Sequence, residues 1–237
     1  MEAIIRSIFK DNRHVFGARK IKYVLKKQYH IITSRRKIRE IMAKYSLVSV
    51  YTKKIYKNHK LSCNENKIPN IVNREFDNRR PLEVLTSDLT YVRVNNEWHY
   101  ICTILDLFNR EIVGYAAGKH KDAKLVMAAL RKINANLYKV NIFHSDRGKE
   151  FDNMSINELL NVFGIKRSLS AKGCPYDNAV SEATYSIIKI EFANKIFDNL
   201  AQLRLELFDY VNWYNNIRPH GTLGYLTPNE AKALVSK

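Results

Sequence analysis

With 237 residues, 46% of them hydrophobic, the chain can bury a sizeable core in one medium domain and a small one; it has no apolar run of 18 residues for a membrane span and no apolar signal core in MEAIIRSIFKDNRH. Three cysteines (Cys63, Cys102 and Cys174), none in a CxxC pair, argue against a disulfide scaffold or a zinc site and for a reducing compartment. The net charge of +17 is uneven, with 17 Lys/Arg against 3 Asp/Glu in residues 1–60 and 23 against 20 in the remainder, as for a polyanion-binding arm on a nearly neutral body.

Residues 1–10 read as a short helix. Residues 18–29 read as a second, with Ile21, Val24, Leu25 and Tyr29 on one side. Thr33 or Ser34 is a candidate N-cap for a third, RRKIREIMAKY, whose apolar side is Ile38, Ile41 and Met42. Two helices so closely joined, the second carrying Arg35, Arg36, Lys37 and Arg39, suggest a helix-turn-helix that binds DNA through those four residues. The cations spread over several short segments rather than along one amphipathic helix, which favours nucleic acid over a membrane surface. Residues 51–80, rich in Lys, Asn and Arg, read as a basic linker.

From Pro81 the period changes to two. LEVLTSDLTYVRV, WHYICTILDL and EIVGYAAG read as three strands in an antiparallel meander, turning at Asn95-Asn96 and at Asp106–Arg110, where Asp106 shapes the turn. A helix over 122–137 follows, then the short strand KVNIFHSD ending at Asp146. Ser155 and Glu158 suggest a capping box for SINELLNVFG, and IKRSLS reads as a fifth strand. After a Gly-Pro loop, expected to be mobile, comes a helix with Glu182 and, seven residues on, Lys189; Asp177 and Asn178 suit its N-cap. A helix near 198–214 and a last one opened by Thr227-Pro228-Asn229-Glu230 complete the chain. The expected fold is α/β: a mixed five-stranded sheet flanked by helices, preceded by a small all-α domain. The expected divisions are 1–50, the linker 51–80, a core over 81–197 and a C-terminal helical extension over 198–237.

Asp88 stands in the middle of an apolar strand, where a charge is costly without partners. Asp146 stands at a strand end, where ligands gather in sheets with parallel strands, and Glu182 rides on a helix. The three carboxylates can converge, although nothing in their individual surroundings forces it. His144 is read as completing its strand rather than binding metal, and Glu150 is expected to point to solvent.

SDLTYV (87–92), HSDRG (144–148), KGCPYDNAVSEATYSIIKIE (172–191) and YNNIRPHGTLGYLTPNEA (214–231) occur in that order, with 35 residues between Asp146 and Glu182. The whole resembles the DDE transposases with a retroviral-integrase-like, ribonuclease-H-like core, and among them the bacterial insertion-sequence transposases called the IS-three family. FGARKI and SRRKIREIM resemble the helix-turn-helix of that family's second-frame product. Leu85, Phe151 and Cys174 depart from residues common there, without removing an acid.

The resemblance implies metal-dependent DNA strand cleavage and strand transfer in DNA transposition and integration. It implies catalytic and metal-binding roles for Asp88, Asp146 and Glu182 with two Mg²⁺ ions, for which Mn²⁺ can substitute. It also implies a DNA-phosphate contact by Lys189, double-stranded DNA as the partner, a homo-oligomer on that DNA, and a bacterial cytoplasmic, nucleoid-associated location without a membrane. In that family the active enzyme is commonly a frameshift fusion, so a first-frame partner protein is a further expectation. Two other readings stand beside this one: a truncated DNA-binding relic that modulates a full-length transposase, and a ribonuclease-H-like nuclease without strand transfer.

Overall fold

The computed structural model describes residues 1–52, 68–171 and 179–235. Cys63, Cys174, the Gly-Pro loop and the suggested caps Asp177 and Asn178 lie outside them. The chain divides into two compact units: residues 1–58 with Arg218–Thr227, and residues 59–217 with the segment from Pro228 onward.

The first unit is built on three helices, α1 (Glu2–Asp11), α2 (Ala18–Tyr29) and α3 (Arg35–Lys44). Each is short and marginal alone, so packing of one apolar stripe must hold it. Ile5, Ile8 and Phe9 meet Ile21, Val24 and Leu25 and then Ile38, Ile41 and Met42, all buried as their 3.6-residue spacing predicts; Tyr29 is 42% exposed. α2 stops at His30, which takes a left-handed conformation, and Ser34 caps α3 by accepting from Lys37 N at 3.1 Å. Within this unit Tyr225 stacks on Tyr23 at 5.4 Å, and the Arg218 guanidinium donates to the Tyr51 hydroxyl. The expected C-terminal extension is therefore divided, with 218–227 clustering with the N-terminal helices.

The second unit is a mixed sheet with helices packed on it. Its elements are β1 (Val84–Val94), β2 (Glu97–Asp106), β3 (Ile112–Gly118), α4 (Ala123–Leu130), β4 (Ile142–Ser145), α5 (Met154–Val162), β5 (Lys166–Leu169), α6 (Ala179–Ile188), β6 (Ile196–Phe197), α7 (Leu200–Asn216) and α8 (Pro228–Val235). The main sheet order is β3-β2-β1-β4-β5. β1, β2 and β3 form the antiparallel meander, and β4 and β5 join in parallel through helical connections. β6, which the sequence pattern does not reveal, adds two residues in parallel against Arg93 and Val94. Leu85, Cys102, Ile104, Val126, Ala129 and Phe143 lie at the centre of the core on the α4 side of the sheet.

Several boundaries differ from the periodicity. α4 ends at Leu130, because Lys132 N and Ile133 N tighten onto carbonyls three residues back and Ile133 folds into the core from the turn. α5 is capped by Asn153, which accepts from Ser155 N, so Ser155 is already inside the helix. The second half of the expected linker packs on the sheet. Ile71 N and Val72 N donate to Ser168 Oγ, and Val72 is fully buried with Val84 and Leu107. Asp106 shapes its turn as expected, accepting from Leu82 N at 2.8 Å and Phe108 N at 3.0 Å.

Candidate active site

The parallel register of β1 and β4 pairs Ser87 with Ser145, so Asp88 and Asp146 occupy the next step on neighbouring strands, about 4.8 Å apart in the pairing direction. Asp88 Oδ1 accepts from Leu89 N at 2.7 Å, and Asp146 Oδ1 accepts from Gly148 N at 2.9 Å. Among the described residues the second oxygen of each carboxylate has no hydrogen-bond donor. Burial, followed by the charge of Asp146, pushes Asp88 up to about 7. Burial and then Glu150 raise Asp146, against the pull of the Gly148 N–H and Lys121. Two half-buried acids, each raised by burial and by a neighbouring carboxylate, are a site short of positive charge.

The sheet is notched at this point. β4 pairs with Val84–Ser87 and β6 with Arg93–Val94, so among the described residues Asp88–Val92 pair only with β2. Among the described residues this stretch of β1 therefore has one edge without a partner strand.

α6 crosses β1 beside the acid. Ser181 Oγ lies 2.5 Å from Thr86 Oγ1, and the Tyr185 hydroxyl donates to the Asp88 carbonyl while accepting from Thr103 N at 2.9 Å. Tyr185 is 3% exposed, so its phenol is a fixed seat for the helix. Tyr185→Phe removes the hydroxyl that joins α6 to the Asp88 carbonyl and Thr103 N, and the expected cost is about 1–3 kcal/mol of stability with a larger proportional loss of activity than of DNA affinity. Denaturant unfolding and parallel kinetics measure both.

Glu182 lies in the first turn of α6, between these two anchors, and is exposed. The structure does not gather it with the acid pair: among the described residues no group of three or more His, Cys, Asp or Glu side chains is placed to hold a metal ion. Lys189 begins a π-helical turn, Lys189–Ala193, at the end of α6. Its ammonium lies 5.3 Å from the Tyr91 ring centroid and favours the charged form of Asp88. His144 is buried, with Nδ1 2.9 Å from Ser168 Oγ, as befits a structural residue.

Glu150 corrects the sequence reading. Its side chain is 6% exposed rather than solvent-facing, and Oε1 is 3.0 Å from Lys121 Nζ. The carboxylate lies over Gly148, where a Cβ would come within 2.3 Å of Oε1. Lys121 is a functional candidate that the sequence reading did not find. Burial alone pulls its ammonium down, but the Glu150 hydrogen bond and the charges of Glu150, Asp146 and Asp88 raise it overall. The available signal was topological: β3 and β4 run the same way, so residues just past both strands share one edge of the sheet.

In the helical unit, Arg35, Arg36, Lys37 and Arg39 are all exposed on α3. Arg36 and Lys37 share Glu40 at 3.1 and 3.8 Å, both as exposed pairs of small energetic value. Arg19, Lys22, Lys26 and Arg35 line one cleft of about 400 Å³ with Tyr23 and Tyr225.

Residues 78–175 and 163–228 each match a family described as Integrase core domain, and residues 1–55 match an HTH-like domain. The two integrase-core matches together span residues 78–228, and the chain is similar to insertion-sequence transposases. It is 29% identical over 231 residues to the putative transposase InsK of insertion sequence element IS150 from Escherichia coli K12, covering 95% of this chain and 80% of that one. It is also 29% identical over 232 residues to the transposase of IS904 from Lactococcus lactis, covering 95% and 90%. The fold is similar to that in a simian T-cell lymphotropic virus intasome solved with the PP2A regulatory subunit B56 gamma, at TM-score 0.53 and 13% identity, covering 96% of this chain and 73% of that one. Among the described residues, no helix is long and apolar enough to cross a membrane.

Proposed function

We propose that the chain is a DDE-type polynucleotidyl transferase, cutting DNA at the ends of a mobile element and joining the freed 3′-hydroxyl to a target strand. The observation that carries this reading is the pair Asp88 and Asp146: adjacent on parallel strands, each pushed up by burial and by a neighbouring carboxylate, at the open edge of the sheet. The donor set fits Mg²⁺ or Mn²⁺, because these are hard carboxylate oxygens and one oxygen on each acid has no donor among the described residues. Asp88 and Asp146 would hold the metal, with Glu182 from α6 as the further ligand. When bound, two such ions supply charge neutralisation and Lewis-acid activation at the phosphodiester.

The chain's own residues do the rest. The Leu89 and Gly148 N–H groups fix which oxygen of each acid turns inward to the backbone. Tyr185 and Ser181 hold α6 against β1, which keeps Lys189 near Asp88 and leaves Glu182 to join the acids when metal and DNA bind. Lys189 supplies a point charge for a DNA phosphate next to the acids. α3 supplies duplex contacts through Arg35, Arg36, Lys37 and Arg39, and the full assembly is an oligomer on DNA, with a first-frame partner where one is encoded. A bacterial, nucleoid-associated protein is the setting that this reading requires.

Purified protein, alone or fused to an upstream frame, should nick terminal-repeat DNA with Mg²⁺ or Mn²⁺, and Glu182→Gln should abolish nicking while DNA remains bound. Undiminished nicking by Glu182→Gln would remove that residue from the site. For the helical unit, Arg35→Ala and Arg39→Ala should each flatten the slope of log affinity against log salt by about 0.9, as for one lost phosphate contact.

A further inference from the structure

The geometry points to a stacking platform for an unpaired nucleotide on the β1–β2 hairpin, next to the acid pair. This inference rests on the DNA-cutting reading of the site and adds a ligand to it: a frayed or single-stranded nucleotide flanking the phosphate to be cut.

Two large rings stand on this hairpin in solvent. Tyr91 is 44% exposed and Trp98 48% exposed, and they meet edge-to-face with centroids 4.9 Å apart. Each ring carries a cation. The Arg93 guanidinium lies 4.0 Å from the Trp98 centroid and is tethered by donating to the Asn96 carbonyl at 2.9 Å; Lys189 Nζ lies 5.3 Å from the Tyr91 centroid. The four side chains form one continuous row, Lys189–Tyr91–Trp98–Arg93. Arg93 sits directly across from Trp98 in the strand register, so the row is fixed by the sheet rather than by a loop.

Aromatic faces flanked by fixed cations suit single-stranded nucleic acid, in which bases expose their faces and phosphates lie within reach of the charges. A duplex hides its base faces and offers such rings nothing to stack on. The position agrees with this occupant. Tyr91 is three residues beyond Asp88 on the same strand, about 10 Å along it; the two side chains point to opposite faces, and both fall in the segment whose other edge is open. Lys189 belongs to both groups, since its charge acts on Asp88 and its ammonium covers Tyr91. A strand bound at the acids can therefore reach the rings by passing over the open edge of β1, where Lys189 serves both sides. Cross-strand packing alone would explain an aromatic pair, but it does not require two half-exposed rings with a cation on each.

The test uses a 20-base-pair duplex, blunt or carrying a three-nucleotide 3′ tail with 2-aminopurine in the tail, in Ca²⁺ to hold the DNA uncut. The native protein should prefer the tailed duplex by roughly fivefold or more and should quench the 2-aminopurine fluorescence. Tyr91→Ala and Trp98→Ala should each bring the tailed-to-blunt ratio close to one and abolish the quench, whereas Trp98→Phe, which keeps an aromatic face and the hairpin packing, should retain both. A native protein without tail preference, or a Trp98→Ala protein that still prefers and quenches the tail, overturns the platform. Metal-dependent nicking of the blunt duplex by the same native sample reports separately on the transferase reading.

Discussion

Asp88→Asn should raise the thermal midpoint of the metal-free protein at pH 8 and at the same time cut strand cleavage by roughly a thousandfold or more. The two effects have one cause. Folding lifts Asp88 from the ordinary carboxylate range to about 7, first through burial and then through Asp146. A carboxyl raised by folding contributes its full stability only while it is neutral in both states, below about pH 4. As pH rises from there towards 7 the unfolded chain ionises first, so the fold loses stability, and above 7 the whole penalty is present. Asparagine keeps the shape and removes that penalty, so this part of the pH slope should vanish from thermal melts. Asparagine also removes the charge that a divalent cation needs, so the variant should no longer be stabilised by Mn²⁺. A midpoint unchanged or lowered at pH 8, in a variant that binds Mn²⁺ like the native protein, would mean that Asp88 is not held against its charge.

Lys121→Ala should destabilise the protein by about 1–3 kcal/mol, a figure reduced from that of a fully buried pair because the lysine side chain is 36% exposed. The loss leaves the nearly buried Glu150 carboxylate facing Asp146 without its cation. Lys121 also favours the charged forms of Asp88 and Asp146, so its removal should move the acid limb of the activity–pH profile to higher pH. Replacing Glu150 with Gln in the same chain removes the stranded charge, and the double variant should recover most of the stability lost by Lys121→Ala. Equilibrium unfolding of the two single variants and the double variant gives the coupling between the residues; additive effects would show that the pair is not a unit.

Most of the framework is local, and so it was legible in the sequence. Ile21, Val24 and Leu25, like Ile38, Ile41 and Met42, announce their helices by spacing alone, and the period-two run around Asp88 announces β1. Asp88 and Asp146 stand out because each is a charge where a strand wants none. The Lys121–Glu150 pair was not legible, because it joins the segment after β3 to the turn after β4 and no spacing rule connects positions 29 residues apart. β6 escaped notice because two residues carry no period. The cap of α5 was placed two residues late because Ser155 and Glu158 imitate a capping box inside a helix that Asn153 already starts. The sequence sets Glu182 and Lys189 seven residues apart on one helix. The structure keeps both on the α6 segment, but it places Lys189 against Tyr91 and Asp88 while leaving Glu182 outside any three-ligand group among the described residues.

The proposal that Asp88 and Asp146 together are the metal seat of this protein is tested most directly by calorimetric titration of Mn²⁺ into the native protein and the Asp146→Asn variant at pH 8. The account predicts saturable binding to the native protein and a loss of at least tenfold in affinity in the variant, with both proteins folded by circular dichroism. Equal affinity in the two proteins would contradict it.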